Sequence, residues 1–151
     1  VNGLGERYVI DTNALVQLKS HRRASAMFRE NAVIPSEVLD EAEGFPDIGR
    51  LQQNRHTLTA RTLEWLCRVM KTVPAEDRTL VDLYAGKGSA DPLVVATALE
   101  GQERDNQYID APEWIVVTDD GAVRDKAREF GFRVLSNTEF AEILDAIDDV
   151  S

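Results

Sequence analysis

Four short runs rich in Val, Ile and aromatic residues, Tyr8 to Ile10, Ala32 to Ile34, Trp114 to Val117 and Phe132 to Leu135, alternate along the chain with stretches of helical spacing. Each run has strand length and is followed by turn or capping residues. Between them, Leu58, Thr62, Trp65, Leu66, Val69 and Met70 fit one amphipathic helix, Leu80, Val81 and Tyr84 mark another, and Phe140, Ile143, Leu144 and Ile147 a third. Alternation of this kind implies an α/β fold, a parallel sheet covered by helices on both faces. Pro92 to Leu99 has almost no polar face, so its helix should be buried on most sides. Two polar segments with turn formers, 44–57 and 101–113, interrupt the pattern and read as loops. With 151 residues, no repeat and no boundary, the chain reads as a single domain over 1–151.

Four acids stand at the edges of these apolar elements. Asp11 follows the first run in VIDTNALVQL, Glu41 follows VIPSEVL, Asp91 precedes PLVVATAL, and Asp120 follows WIVVTD. In parallel α/β sheets ligands bind beyond the carboxyl ends of the strands, which makes these positions candidates for a metal site. Each has a structural alternative. Asp11 could cap the helix that starts near Ala14, although Thr12 and Asn13 would cap equally well. Asp91-Pro92 has the form of an N-cap with a first-turn proline, but a cap uses one carboxylate oxygen and leaves the other for a metal. Val38, Leu39 and Ala42 define the apolar face of a short helix, and Glu41 lies at its border, where a carboxylate would be held rigidly and partly desolvated. Glu37, one turn earlier on a similar azimuth, is its rival. Asp119 and Asp120 stay even on spacing, since either could cap the helix from Ala122 to Phe130.

The net charge of −10, from 27 acids against 17 Lys and Arg, argues against a passive nucleic-acid coat protein, which would normally be basic. It is compatible with a nuclease. Two carboxylates about 4 Å apart repel by about 4 kcal/mol at an effective dielectric of 20, so four converging acids call for cations. Oxygen ligands suit Mg²⁺ or Mn²⁺, as one or two ions. Basic residues cluster at Lys19, His21, Arg22 and Arg23 and again at Arg50, Arg55, His56 and Arg61, as nucleic-acid contacts or as solvated helix ends and loops. Cys67, in LEWLCRVM, reads as a core residue and has no second cysteine to bridge. No apolar run approaches the ~20 residues of a membrane span, and no apolar signal region opens the chain, so a cytoplasmic location without membrane contact is expected.

Taken together the motifs resemble the PIN-domain pattern: a strand ending in Asp-Thr-Asn, a Glu after the second strand, an Asp before a buried Ala-rich helix, and a Thr-x-Asp closing a later strand. The resemblance runs from Tyr8 to about Phe140, and IPSEVLDEAEG, ADPLVVATALEG and VVTDDGAV are similar to the local motifs of VapC-like toxins of toxin–antitoxin pairs. It implies a three-layer α/β/α domain with a five-stranded parallel sheet in the order 3-2-1-4-5. It also places Pro35 six residues before the acid, which favours Glu41 over Glu37, and pairs Thr118 with Asp120. Thr12, Asn13 and Thr118 fall on polar supporting positions.

What the resemblance implies chemically is a metal-dependent endoribonuclease leaving a 5′-phosphate and a 3′-hydroxyl. Asp11 and Asp91 would be the central ligands, with Glu41 positioning a ligand water or a second ion and Asp120 completing the cluster. As a toxin the protein would form a homodimer, cut RNA, and bind a small antitoxin whose basic tail enters the acidic groove. The alternatives are a stand-alone RNA-processing nuclease and a non-catalytic PIN-like module that binds metal or a partner. A phosphohydrolase with an aspartate nucleophile would want a second Asp where Asn13 stands. Two departures, the long segment GQERDNQYIDAPEW and the enlarged 44–57 region, would reshape the RNA groove or the partner surface.

Overall fold

Five strands, β1 (Glu6–Ile10), β2 (Ala32–Pro35), β3 (Arg55–His56), β4 (Glu113–Val117) and β5 (Arg133–Leu135), form one parallel sheet in the computed structural model, which describes residues 5–74 and 91–150. Their order is β3-β2-β1-β4-β5, as expected. The chain steps outward from β1 to β2 and β3, then returns to the other side of β1 for β4 and β5. Strand order therefore reverses between β1 and β4, which pair along their whole length from Glu6 with Glu113 to Ile10 with Val117. The crevice at such a reversal opens at the carboxyl ends of its two strands.

The helices are α1 (Thr12–Arg23), α2 (Ala26–Asn31), α3 (Ser36–Glu41), α4 (Ile48–Leu51), α5 (Ala60–Lys71), α6 (Asp91–Asp105), α7 (Gly121–Glu129) and α8 (Asn137–Val150). On one face α6 lies across β4, β1 and β2 with α5 and α7 beside it, and on the other α8 packs on α1 and α2. Tyr8 reaches the α8 side, its ring 4.8 Å from that of Phe140. Successive strand residues alternate, so Val9 turns to the α6 side. From Pro92 to Gly101 every residue of α6 is buried, as its missing polar face foretold. The Trp114 indole lies directly on Gly101, where any Cβ would overlap the ring, so glycine lets α6 and β4 approach closely.

Three expectations need correction. Residues 44–57 are not a loop: they hold α4, a 3₁₀ turn (Gln52–Asn54) and the edge strand β3. A two-residue strand of Arg and His carries no apolar alternation to read. It is held instead by tertiary bonds, with the Asn54 amide donating to the carbonyls of Phe28, Arg29 and Ala32. The second loop, 101–113, is helical as far as Asp105, because Gly101 serves packing rather than helix termination. Cys67 is exposed. The inner side of α5 carries the fully buried Thr62 and Val69, and Cys67 follows the half-buried Trp65 by about 200°, which turns it outward. The helix expected at Leu80 to Tyr84 lies outside the described residues. No described helix is long and apolar enough to cross a membrane.

Candidate active site at the carboxyl edge of the sheet

Asp11 leaves β1 at its carboxyl end with extended backbone and caps α1, its Oδ1 accepting from the Ala14 N–H at 2.8 Å. Its own N–H donates to the Val117 carbonyl at 3.3 Å, extending the pairing of β1 with β4 by one step. Capping therefore does occur here. It engages only one oxygen, and the other accepts a hydrogen bond from the Thr118 hydroxyl. Asp11 and Thr118 are both buried, at 4% and 2% exposure.

Thr118 is the link between the two strand ends. Its N–H donates to the Leu135 carbonyl at 2.9 Å, and its hydroxyl oxygen accepts from the Asp120 N–H at 3.0 Å while donating to Asp11. Asp120 then caps α7, with Oδ1 accepting from the N–H groups of Ala122 and Val123, and Oδ2 making no hydrogen bond among the described residues. Asp119 turns the other way, accepting from the Asn137 N–H at the start of α8 at 2.9 Å. The two acids that spacing left even thus diverge, Asp120 capping α7 and Asp119 bonding the first N–H of α8, a helix capped by Ser136.

Glu41 ends α3, and its Oε2 accepts from the Thr12 hydroxyl at 2.7 Å, joining the first residue of α1 to the last of α3. The partly desolvated setting expected for it is not found: Glu41 is exposed, because α3 ends there and the inward positions are taken by Ser36, Val38, Leu39 and Ala42. Glu37 is half-buried on the first turn of α3 and makes no side-chain hydrogen bond among the described residues. Asn13 is exposed on the first turn of α1. Asp91 opens α6, and its side chain lies outside what the structure describes.

Electrostatically the centre resists its own charge. Burial pushes the Asp11 carboxyl above the ordinary aspartate range, the Thr118 and Ala14 hydrogen bonds oppose that rise, and the charges of Asp120 and Asp119 add to it. A buried carboxylate facing like charge is a place where a cation would be stabilising. The donors are all hard oxygens, which fits Mg²⁺ or Mn²⁺. Among the described residues no three His, Cys, Asp or Glu side chains gather closely enough to hold a metal ion by themselves.

The basic clusters noted in the sequence are mostly committed elsewhere. Arg22 forms two hydrogen bonds with Asp145, and Arg23, 6% exposed, forms two with Asp47 and a third with the Leu15 carbonyl. Arg50 also meets Asp47, Arg61 meets Glu64 and Glu103, and His56 is buried against Glu100 at 2.9 Å. Lys19 sits at a kink in α1 with φ of 63°, a left-handed conformation that costs of order 1–3 kcal/mol for a residue with a side chain.

A family model described as the PIN domain matches residues 8–138 of the chain. No curated protein matches it.

Proposed function

The chain belongs to the PIN-domain family, whose members are in general nucleases, and on that premise we propose that it is a divalent-metal-dependent endoribonuclease centred on Asp11, Asp91, Asp120 and Glu41. The observation that carries this reading is the Thr118 hydroxyl. It bonds the buried Asp11 carboxylate and the Asp120 loop at once, across the point where strand order reverses. A purely structural pair of caps needs no such bridge.

In this reading Asp11, Asp91 and Asp120 hold the metal, and Glu41, tethered through Thr12, orients a water or a second ion. When bound, Mg²⁺ or Mn²⁺ supplies positive charge that offsets the clustered carboxylates and acidifies water for attack on phosphorus. Thr118 keeps Asp11 in one rotamer and favours its ionised form. Asp120, fixed by two backbone N–H groups, leaves Oδ2 available as a ligand. Within the family we read the chain as the toxin of a toxin–antitoxin pair, on the likeness of its IPSEVLDEAEG, ADPLVVATALEG and VVTDDGAV segments to VapC-like motifs.

The test is cleavage of a mixed structured RNA pool by partner-free protein in Mg²⁺ or Mn²⁺, beside EDTA and Asp11→Asn controls. Cutting that needs metal and is lost in the variant supports the nuclease. Silence from folded, metal-binding protein transfers the site to a non-catalytic binding role. Co-purification of a small basic protein with the native chain separates the toxin from a stand-alone processing nuclease.

A further inference from the structure

On the β3 side of the sheet a trough of about 360 Å³ is lined by Arg7, Arg29, Arg55 and Arg104. Among the described residues Glu30 is the only acid in its lining. Four guanidiniums gathered against one carboxylate run counter to a chain whose net charge is −10. Two of them are partly compensated, Arg55 by Asp40 at 3.4 Å, and Arg104 by Glu100 at 3.4 Å and Asp105 at 3.7 Å. Arg7 and Arg29 form no ion pair among the described residues. Arg7 is nonetheless held in place, its Nη1 donating to the Asn31 side chain at 3.1 Å and to the Glu6 carbonyl at 3.2 Å, while Asn31 donates to the Met27 carbonyl. These acceptors are neutral, and Nε and Nη2 of Arg7 make no hydrogen bond among the described residues. A fixed guanidinium with unused donors and uncompensated charge is built for an oxyanion.

The register says how the trough relates to the carboxylates. Val9 pairs with Val33 and Ile34 with Arg55, so Arg55 stands level with Ile10, the residue before Asp11. Arg7 lies three residues nearer the amino end and two strands across. At ~3.3 Å per residue and ~4.8 Å per strand, the two backbone positions are about 14 Å apart. A lone anion meets one end of such a feature, whereas phosphates in series use its length and lead away from the Asp11 end.

Resting on the ribonuclease reading, we propose that this trough binds the phosphodiester backbone of single-stranded RNA to one side of the cleavage point. Its arginines grip phosphates and leave the bases unread, so they set affinity and register rather than sequence preference.

The test is direct binding in EDTA, read as the fluorescence anisotropy of a short labelled single-stranded oligoribonucleotide through a salt series. Arg29→Gln/Arg55→Gln alters two side chains at the trough's surface, and Arg128→Gln on α7 is the control. The double variant should bind about tenfold more weakly, with a slope of log Kd against log salt shallower by roughly 0.7 for each phosphate no longer neutralised, and the control should bind like the natural protein. Unchanged affinity and slope in the double variant overturn the proposal, as does absence of RNA binding by the natural protein. Displacement of the oligonucleotide by inorganic phosphate at equal phosphate concentration overturns it too, marking a single-anion pocket. Because the assay involves no cleavage, RNA that binds through the trough yet is never cut in Mg²⁺ or Mn²⁺ sinks the nuclease reading and keeps this one.

Discussion

Replacing Thr118 by Val keeps the shape of the side chain and removes the hydroxyl that joins the two strand ends. The hydrogen bond to the Asp11 carboxylate is charge-assisted and worth about 1.5–3 kcal/mol, and the bond from the Asp120 N–H about 1 kcal/mol. The added methyl returns about 0.8 kcal/mol, leaving a net loss of about 2–3 kcal/mol. For a domain of this size that lowers Tm by roughly 5–10 °C. The pH dependence identifies the cause. Asp11 has its carboxyl raised above its ordinary value of 3.8, so the folded state holds more protons than the unfolded one in the window above 3.8. Its contribution to stability is full below that value and is lost as pH rises through the folded pKa. Thr118 opposes the rise, so Thr118→Val moves the folded pKa further up and deepens the loss at neutral pH. Below the unfolded value the carboxyl is protonated in both states, and the charge-assisted part of the difference disappears. Urea unfolding in EDTA, followed by Trp fluorescence at about pH 7.5 and about pH 3, reads this directly. A loss that is equal at both pH values, or under about 0.5 kcal/mol at neutral pH, would falsify the account of Thr118 as the support of an ionised Asp11.

Asp11→Asn keeps the acceptor that caps α1 but removes the buried charge, so without metal the variant should melt at or above the natural protein at neutral pH, the gap closing as pH falls toward 3.8. Differential scanning calorimetry in EDTA checks this, and a markedly lower Tm that persists at acid pH speaks against a charge effect. Gly101→Ala drives a methyl into the Trp114 ring and should cost about 1–3 kcal/mol by denaturant titration, with an unchanged midpoint contradicting the close approach of α6 to β4. The exposed Cys67 should be alkylated fully in the native protein, as mass spectrometry of the adduct would show. Modification only in denaturant would return it to the core.

Much of the architecture was legible along the chain, because each long strand of the centre carries its own apolar run and each long helix its own period. The AVIP and WIVV segments bury by the same physics, and α6, apolar all round, has nowhere to lie except across the sheet. The short edge strand was not legible. Arg55 and His56 have no apolar alternation, and they become a strand only because Asn54 is bonded to the carbonyls around β2 and because Pro35 and Ile34 offer an open edge. Gly101 misled for a related reason: locally it is a helix stop, and only the indole of Trp114 makes it a helix interior.

The candidate site divides in the same way. Sequence alone put an acid at the end of each element, since strand ends and helix starts are local facts. Spacing could not separate Asp119 from Asp120, which only the resemblance ranked, because two adjacent side chains at a strand's end differ only in which helix they meet, and in the fold Asp120 meets α7 and Asp119 meets α8. Nor could it find the bridge through Thr118, which depends on β1 and β4 lying side by side although more than a hundred residues separate Asp11 from Thr118. The arginine trough is the clearest case. Arg7, Arg29 and Arg104 are scattered singly through the sequence and Arg55 comes from a basic cluster, while most other members of the clusters visible there are spent on Asp145, Asp47 and Glu103. Hydrophobic periodicity is local and could be read off the chain; which charges face each other depends on the packing of distant elements, and the tertiary structure alone decided it.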